Sequence, residues 1–299
     1  MTSEPSARAP RVPVRKTYKL YIGGKFPRSE SGRSYVINSA KGQFLANAAL
    51  ASRKDARDAV VAARAAYPRW SGATAYNRAQ ILYRIAEMLE GRRDQFVDEV
   101  ATGEGLSAAR AAAAVDAAVD RWVWYAGWAD KIAQVYGSSN PVAGPYFNFS
   151  TPEPTGVVAV VAPQQSSLLG LVSALAPAIV SGNTAVALAS EQRPLPAITL
   201  AEVLATSDLP GGVVNLLTGR VAEVSPWLAS HMDVNGIDLT GVAGLGNLGA
   251  DLEQAAAENL KRVKRPPAKE PSWTSADAEG LDRIVDFIET KTVWHPVGV

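Results

Sequence analysis

The residues with usable chemistry stand directly behind four short apolar runs. Gln164 and Gln165 follow residues 157–161, Glu191 follows 184–187, Gly219 follows 213–217, and Thr240, Gly241 and Gly246 follow or close 236–239. Each run is too short and too apolar for anything but a buried parallel strand, and a helix-length segment follows each. Such an alternation is a right-handed βαβ series. It builds an open sheet that binds nucleotides at the carboxyl ends of its strands. Gly241 and Gly246 let the backbone turn there into a helix whose N-terminus attracts phosphate. The expected chemistry is binding of a nucleotide.

Other chemistry is poorly represented. The 299 residues contain no cysteine, which removes disulfides, thiolate metal sites and thiol nucleophiles together. His231 and His295 lie far apart and have no ligand-spaced companion, so no metal site is expected. No Gly-x-Ser-x-Gly elbow and no Walker loop is present. Glu99 and Glu104 read as solvated helix faces. A composition of 47% hydrophobic and 20% charged residues suits a globular protein, and a formal charge of +1 gives no field to draw nucleic acid or an anionic membrane. The apolar runs stop well short of the roughly 20 residues that a membrane span needs. A cytoplasmic location is the expectation.

Around the four runs the chain supplies scaffold. Residues 1–16 lack apolar periodicity and read as a disordered basic arm. Gly23-Gly24, within 19–38, supplies a hairpin turn. Residues 53–68, 77–90 and 92–102 have helical spacing, and the alanine-rich 106–133 reads as one long helix suited to close packing. Its Trp122, Trp124, Tyr125 and Trp128 sit among alanine and valine, so they read as core or interface anchors. Residues 141–154 alternate polar and aromatic side chains between turn residues and read as exposed strands that something must cover.

In the pieces GVVAVVAP (156–163), LAPAIVSGNT (175–184), Glu-Gln-x-Pro-Leu (191–195), LPGGVVNLLTG (209–219) and IDLTG (237–241), the chain resembles the coenzyme-binding domain of the aldehyde dehydrogenase superfamily. The resemblance continues over nearly all of the chain from about Lys19. It implies an α/β fold: a Rossmann-like open parallel sheet with N-terminal helices and a small β element for oligomerisation. It also implies weak NAD or NADP binding through Gln164, Gln165, Glu191, Gly219, Thr240, Gly241 and Gly246. The hairpin at 141–154 resembles the family's oligomerisation hairpin, and 281–299 resembles its C-terminal helix and strand.

The departures are as informative. Gln165 stands where active members carry the oxyanion-hole asparagine, and its extra methylene misplaces the amide. Leu188 replaces a lysine that holds ribose hydroxyls, and Val242 replaces a serine near the pyrophosphate. The match at 252–263 stops where a strand carrying the general-base glutamate is due. Pro266 takes that position, and two prolines exclude a central strand. The nucleophile-bearing domain is absent, and 264–280 reads as a linker across the gap. The expected organisation is an arm (1–16), a coenzyme-binding domain (17–263), that linker, and a C-terminal helix and oligomerisation strand (281–299). It is similar to the cysteine-free second domain of the two-domain aldehyde dehydrogenases. The implied function is a non-catalytic accessory subunit, with no catalytic residue. It would assemble with a full-length aldehyde dehydrogenase, or with itself, through 141–154 and 293–299. The alternatives are a stand-alone NAD(P)-binding module and a half-enzyme completed in trans.

Overall fold

The computed structural model describes residues 15–298. The expected arm therefore lies outside the described residues, except for its last two. Lys16 is not free: it pairs with Glu202 at 2.8 Å and donates to Thr199. Gly23 and Gly24 form a tight turn with positive φ, bridging Ile22 to Lys25. Leu20 N–H donates to Pro27 O at 3.1 Å, which extends the turn into a short hairpin, and Tyr21 bonds to Leu216 at the edge of the main sheet. The regular hairpin comes next, from β1 (Ser34–Asn38) and β2 (Phe44–Ala49).

Five helices follow. In α1 (Arg53–Ser71), Ser52 and Asp55 close a reciprocal capping box, satisfying N–H groups that a helix start leaves open. Ala56, Ala59, Val60 and Ala63 form its buried face. Then come α2 (Ala75–Glu90), α3 (Arg93–Glu104), α4 (Ala108–Trp128) and α5 (Ile132–Tyr136). The single helix expected over 106–133 breaks after Trp128. Trp122 and Tyr125 lie wholly inside the core.

The rest of the chain alternates: β3 (Ser138–Asn140), β4 (Tyr146–Pro154), β5 (Val157–Val161), α6 (Leu169–Val180), β6 (Thr184–Leu188), α7 (Leu195–Leu204), β7 (Val214–Leu217), α8 (Val221–Ala229), β8 (Gly236–Asp238), α9 (Leu248–Ala257), β9 (Arg262–Lys264), α10 (Asp282–Val285) and β10 (Ile288–Pro296). Five strands make a parallel sheet in the order β7-β6-β5-β8-β9. The chain runs outward from β5 through β6 to β7, then returns to the other side of β5 for β8 and β9. That reversal sets a topological switch point between β5 and β8, where open α/β sheets form their ligand crevice.

Alternate residues of β5 serve two cores. Val158 and Val160 pack with α6, α7 and the α2–α4 layer, while Val157, Ala159 and Val161 pack under α1, α8 and α9. Every residue of α6 is buried, because it is sandwiched between the sheet and α4. β9 is only three residues long. It ends at Lys264, before Pro266, and it lies at the sheet edge, where proline does least harm.

A second, antiparallel sheet has the order β10-β4-β3. β10 pairs with β4 in unbroken register from Ile288↔Pro154 to Pro296↔Tyr146. Tyr146, Phe147 and Trp294 stand exposed on it, with the Tyr146 and Trp294 rings edge-on at 5.8 Å. Among the described residues no helix is long and apolar enough to cross a membrane.

Candidate functional site

The turn after β5 enters the switch-point crevice and leads into α6. The backbone N–H groups of residues 164–167, ahead of the helix, are not used in regular structure. Here carboxylates from distant parts of the chain accept them. Glu270 Oε2 accepts from the N–H of Gln164 and of Gln165, each at 3.0 Å, and its Oε1 accepts from Ser166 N–H at 3.1 Å. Glu104 Oε1 accepts from the N–H and the hydroxyl of Ser167, each at 2.7 Å. Burial raises the Glu104 carboxyl pKa, against the lowering effect of Ser167 and Arg193.

Glu104 is thus no solvated face, and neither is Glu99. Glu99 Oε1 accepts from the hydroxyls of Tyr18 (3.0 Å) and Thr199 (2.8 Å), and burial raises its pKa too. The sequence misleads at both because the neighbours that cover them come from remote segments.

The two glutamines are tied into this crevice. Gln164 uses its side-chain carbonyl to accept Glu191 N–H at 2.9 Å and its amide to donate to Ala162 O at 2.7 Å. Gln165 Oε1 accepts from Arg193 Nη1 at 2.9 Å. Glu191 reaches the start of α8. Its Oε2 accepts Val221 N–H at 2.9 Å and its Oε1 pairs with Arg220 at 2.8 Å. Gly219 lies in the turn just before that helix, beside Ala51.

On the β8 side, Thr240 N–H donates to Asp238 at 2.8 Å, while the Thr240 hydroxyl is buried without a hydrogen-bond partner. Asp238 is fully buried, which pushes its pKa up against Lys264 and Thr240. Gly241 is a close-approach position: a Cβ there would lie 2.0 Å from Ala162 O. Gly246 turns the chain toward α9. Leu188 is wholly buried and Val242 is 2% exposed, both inside the core under α8.

The structure therefore brings Gln164, Gln165 and Glu191 into one network and places Thr240 and Gly241 beside Ala162. Sequence reasoning missed Glu270, Arg193 and Arg220, none of which has a local signal. It also read 264–280 as a linker, whereas Trp273 and Ala278 of that segment are buried. Arg121 of α4, 4% exposed, donates to Trp273 O (3.2 Å) and Ala278 O (2.7 Å), and the Arg283 guanidinium covers the Trp273 ring at 4.8 Å. A cleft of about 850 Å³ opens beside this segment, between Arg110, Gln165, Leu245 and Trp273. Among the described residues no group of three or more His, Asp or Glu side chains could hold a metal ion.

A family model described as the aldehyde dehydrogenase family matches residues 26–295. The chain is 33% identical to cytosolic aldehyde dehydrogenase 1 of Elephantulus edwardii over 280 residues, covering 90% of this chain and 54% of the relative. It is 35% identical to human retinal dehydrogenase 2 over 287 residues, covering 93% and 53%. Among solved structures, the NAD+ complex of a Bacillus cereus aldehyde dehydrogenase is similar with a TM-score of 0.78 at 27% identity, covering 83% of this chain and 50% of that one. PnpE from Pseudomonas sp. WBC-3 gives 0.79 at 29% identity, covering 83% and 50%. The chain spans about half the length of the curated relatives it matches.

Proposed function

The chain belongs to the aldehyde dehydrogenase family, and from that premise we propose that it is a non-catalytic member that assembles with a full-length, cysteine-bearing one. The observation that carries this reading is the sheet of β3, β4 and β10. The nine residues of β10 return to pair with all of β4, although the chain contains no cysteine and the resemblance puts Pro266 where the general base would stand. β10 is an edge strand of this sheet, so among the described residues one side of its backbone is unpaired, and Phe147 and Trp294 are 50% and 58% exposed beside it. Exposed edges with aromatic side chains favour strand addition by a partner. The partner of this proposal is the corresponding edge of a full-length family member, in the cytoplasm.

Completion of an active site in trans is not favoured. Its coenzyme half would need polar side chains where Leu188 and Val242 are packed into core. The pure chain, incubated with NAD and a panel of aliphatic and aromatic aldehydes, is expected to form no NADH. Aldehyde-dependent NADH formation by the chain alone would end this reading.

A further inference from the structure

The family implies a dinucleotide, and the residues here do not fit one. We infer that the crevice is closed from within: residues 268–279 form a strap whose Glu270 carboxylate fills the donor turn at 164–166, and the chain excludes NAD. This inference rests on the crevice alone and holds whether or not the chain assembles with a partner.

An ionised carboxylate has about four acceptor sites, and Glu270 uses four donors. Three are the successive N–H groups of Gln164, Gln165 and Ser166, and the fourth is the indole N–H of Trp273 at 3.0 Å. That indole fixes the carboxylate from its own segment, three residues away. Arg121 then holds the backbone of the same segment at Trp273 and Ala278, and its Nε faces Glu279 at 3.2 Å. The strap is thus fastened at both ends, to the turn by Glu270 and to α4 by Arg121. Hydrogen bonds between a carboxylate and backbone N–H groups are among the stronger ones. Being tethered, Glu270 also competes at an effective concentration on the order of millimolar or higher.

The second donor site is closed in the same manner. Val221 N–H, at the start of the nine-residue helix α8, is accepted by Glu191, and Arg220 neutralises that carboxylate. The residue that the resemblance assigns to ribose hydroxyls is therefore already bonded. The polar side chains that would assist it are replaced by core residues, Leu188 and Val242. An incoming dinucleotide would have to displace two carboxylates from bonded positions and would meet no free side-chain donor where those two residues lie.

The test uses the whole chain, with calorimetric titration of NAD and peptide-level hydrogen exchange. Wild type is expected to give no saturable heat at millimolar NAD and unchanged exchange at 163–170. Glu270→Ala is expected to speed exchange at 164–166 at least 10-fold while leaving 184–188 protected. Should the alanine variant not fold, Glu270→Gln carries the test. Its shape is kept but only one oxygen accepts, and an acceleration of a few-fold is expected at the same amides. Saturable NAD binding by wild type would overturn the inference. So would unchanged exchange at 164–166 in a folded Glu270 variant.

Discussion

Arg121→Ala is the perturbation that tests the packing of 264–280 most sharply. The guanidinium is 4% exposed and lies between α4, α6 and the strap. Nη1 donates to Ser173 Oγ at 2.9 Å and Ala278 O at 2.7 Å, and Nη2 donates to Trp273 O at 3.2 Å. Nε faces Glu279 as an ion-pair partner without hydrogen-bond geometry. Burial lowers the Arg121 pKa, with Glu279 opposing, so the site also carries a desolvation cost that the alanine removes. A hydrogen bond to a charged group contributes about 1.5–3 kcal/mol, and three would sum to roughly 4.5–9 if they were independent. They share one group and offset its desolvation, so the lower range applies. Removing one partner of a buried pair costs about 3–5 kcal/mol. The expected loss is therefore about 3–5 kcal/mol, read as the fall in urea-unfolding free energy by far-ultraviolet circular dichroism. Arg121→Lys keeps the charge but not the planar fork and should lose about 2 kcal/mol. A loss below about 1 kcal/mol for Arg121→Ala would refute the claim that this residue fastens the segment.

Three further outcomes follow from the same structure. Gly241→Ala places a Cβ 2.0 Å from Ala162 O and 2.5 Å from Val161 O, both backbone atoms that cannot swing aside, so it should lose about 3 kcal/mol in the same unfolding assay. Lys261, 8% exposed, has its pKa pushed down to about 8 by burial against the pull of Glu258. Between pH 8 and the ordinary value of 10.5 the unfolded chain holds more protons, so this group makes stability rise with pH over that window. Lys261→Met should therefore gain most over wild type below pH 8, with the gain fading toward pH 10.5. A flat difference across a pH series of melts would contradict this. Trp294→Ser removes an exposed side chain, so it should change folding stability by about 1 kcal/mol or less. It should still weaken co-assembly at least about 30-fold in a binding titration, the weight of an aromatic anchor at an interface.

The parts of the fold legible in the sequence are those set by local pattern. Residues 157–161 form β5 over the same span, because a β-branched run that short has no other way to be buried. The helical spacing expected over 53–68 and 77–90 likewise falls within α1 and α2. What stayed hidden depends on remote partners. Lys264 belongs to a strand because β8 lies beside it. The polar, proline-containing stretch after that strand reads as linker until Arg121 is seen reaching it from α4. In the candidate site, the order of Gln164, Gln165, Glu191, Gly219, Thr240 and Gly241 along a βαβ series was readable, and the fold puts them at strand ends. What each side chain bonds to was not. Glu270 lies more than a hundred residues from the turn it satisfies, and no spacing announces such a contact.

The most direct test of the central proposal is co-expression of this chain, carrying the only tag, with a full-length aldehyde dehydrogenase from the same genome, followed by native mass spectrometry of the purified species. The account predicts a mixed complex of fixed stoichiometry that is lost with Trp294→Ser. Purification of this chain alone, as a monomer or only with copies of itself, would contradict it.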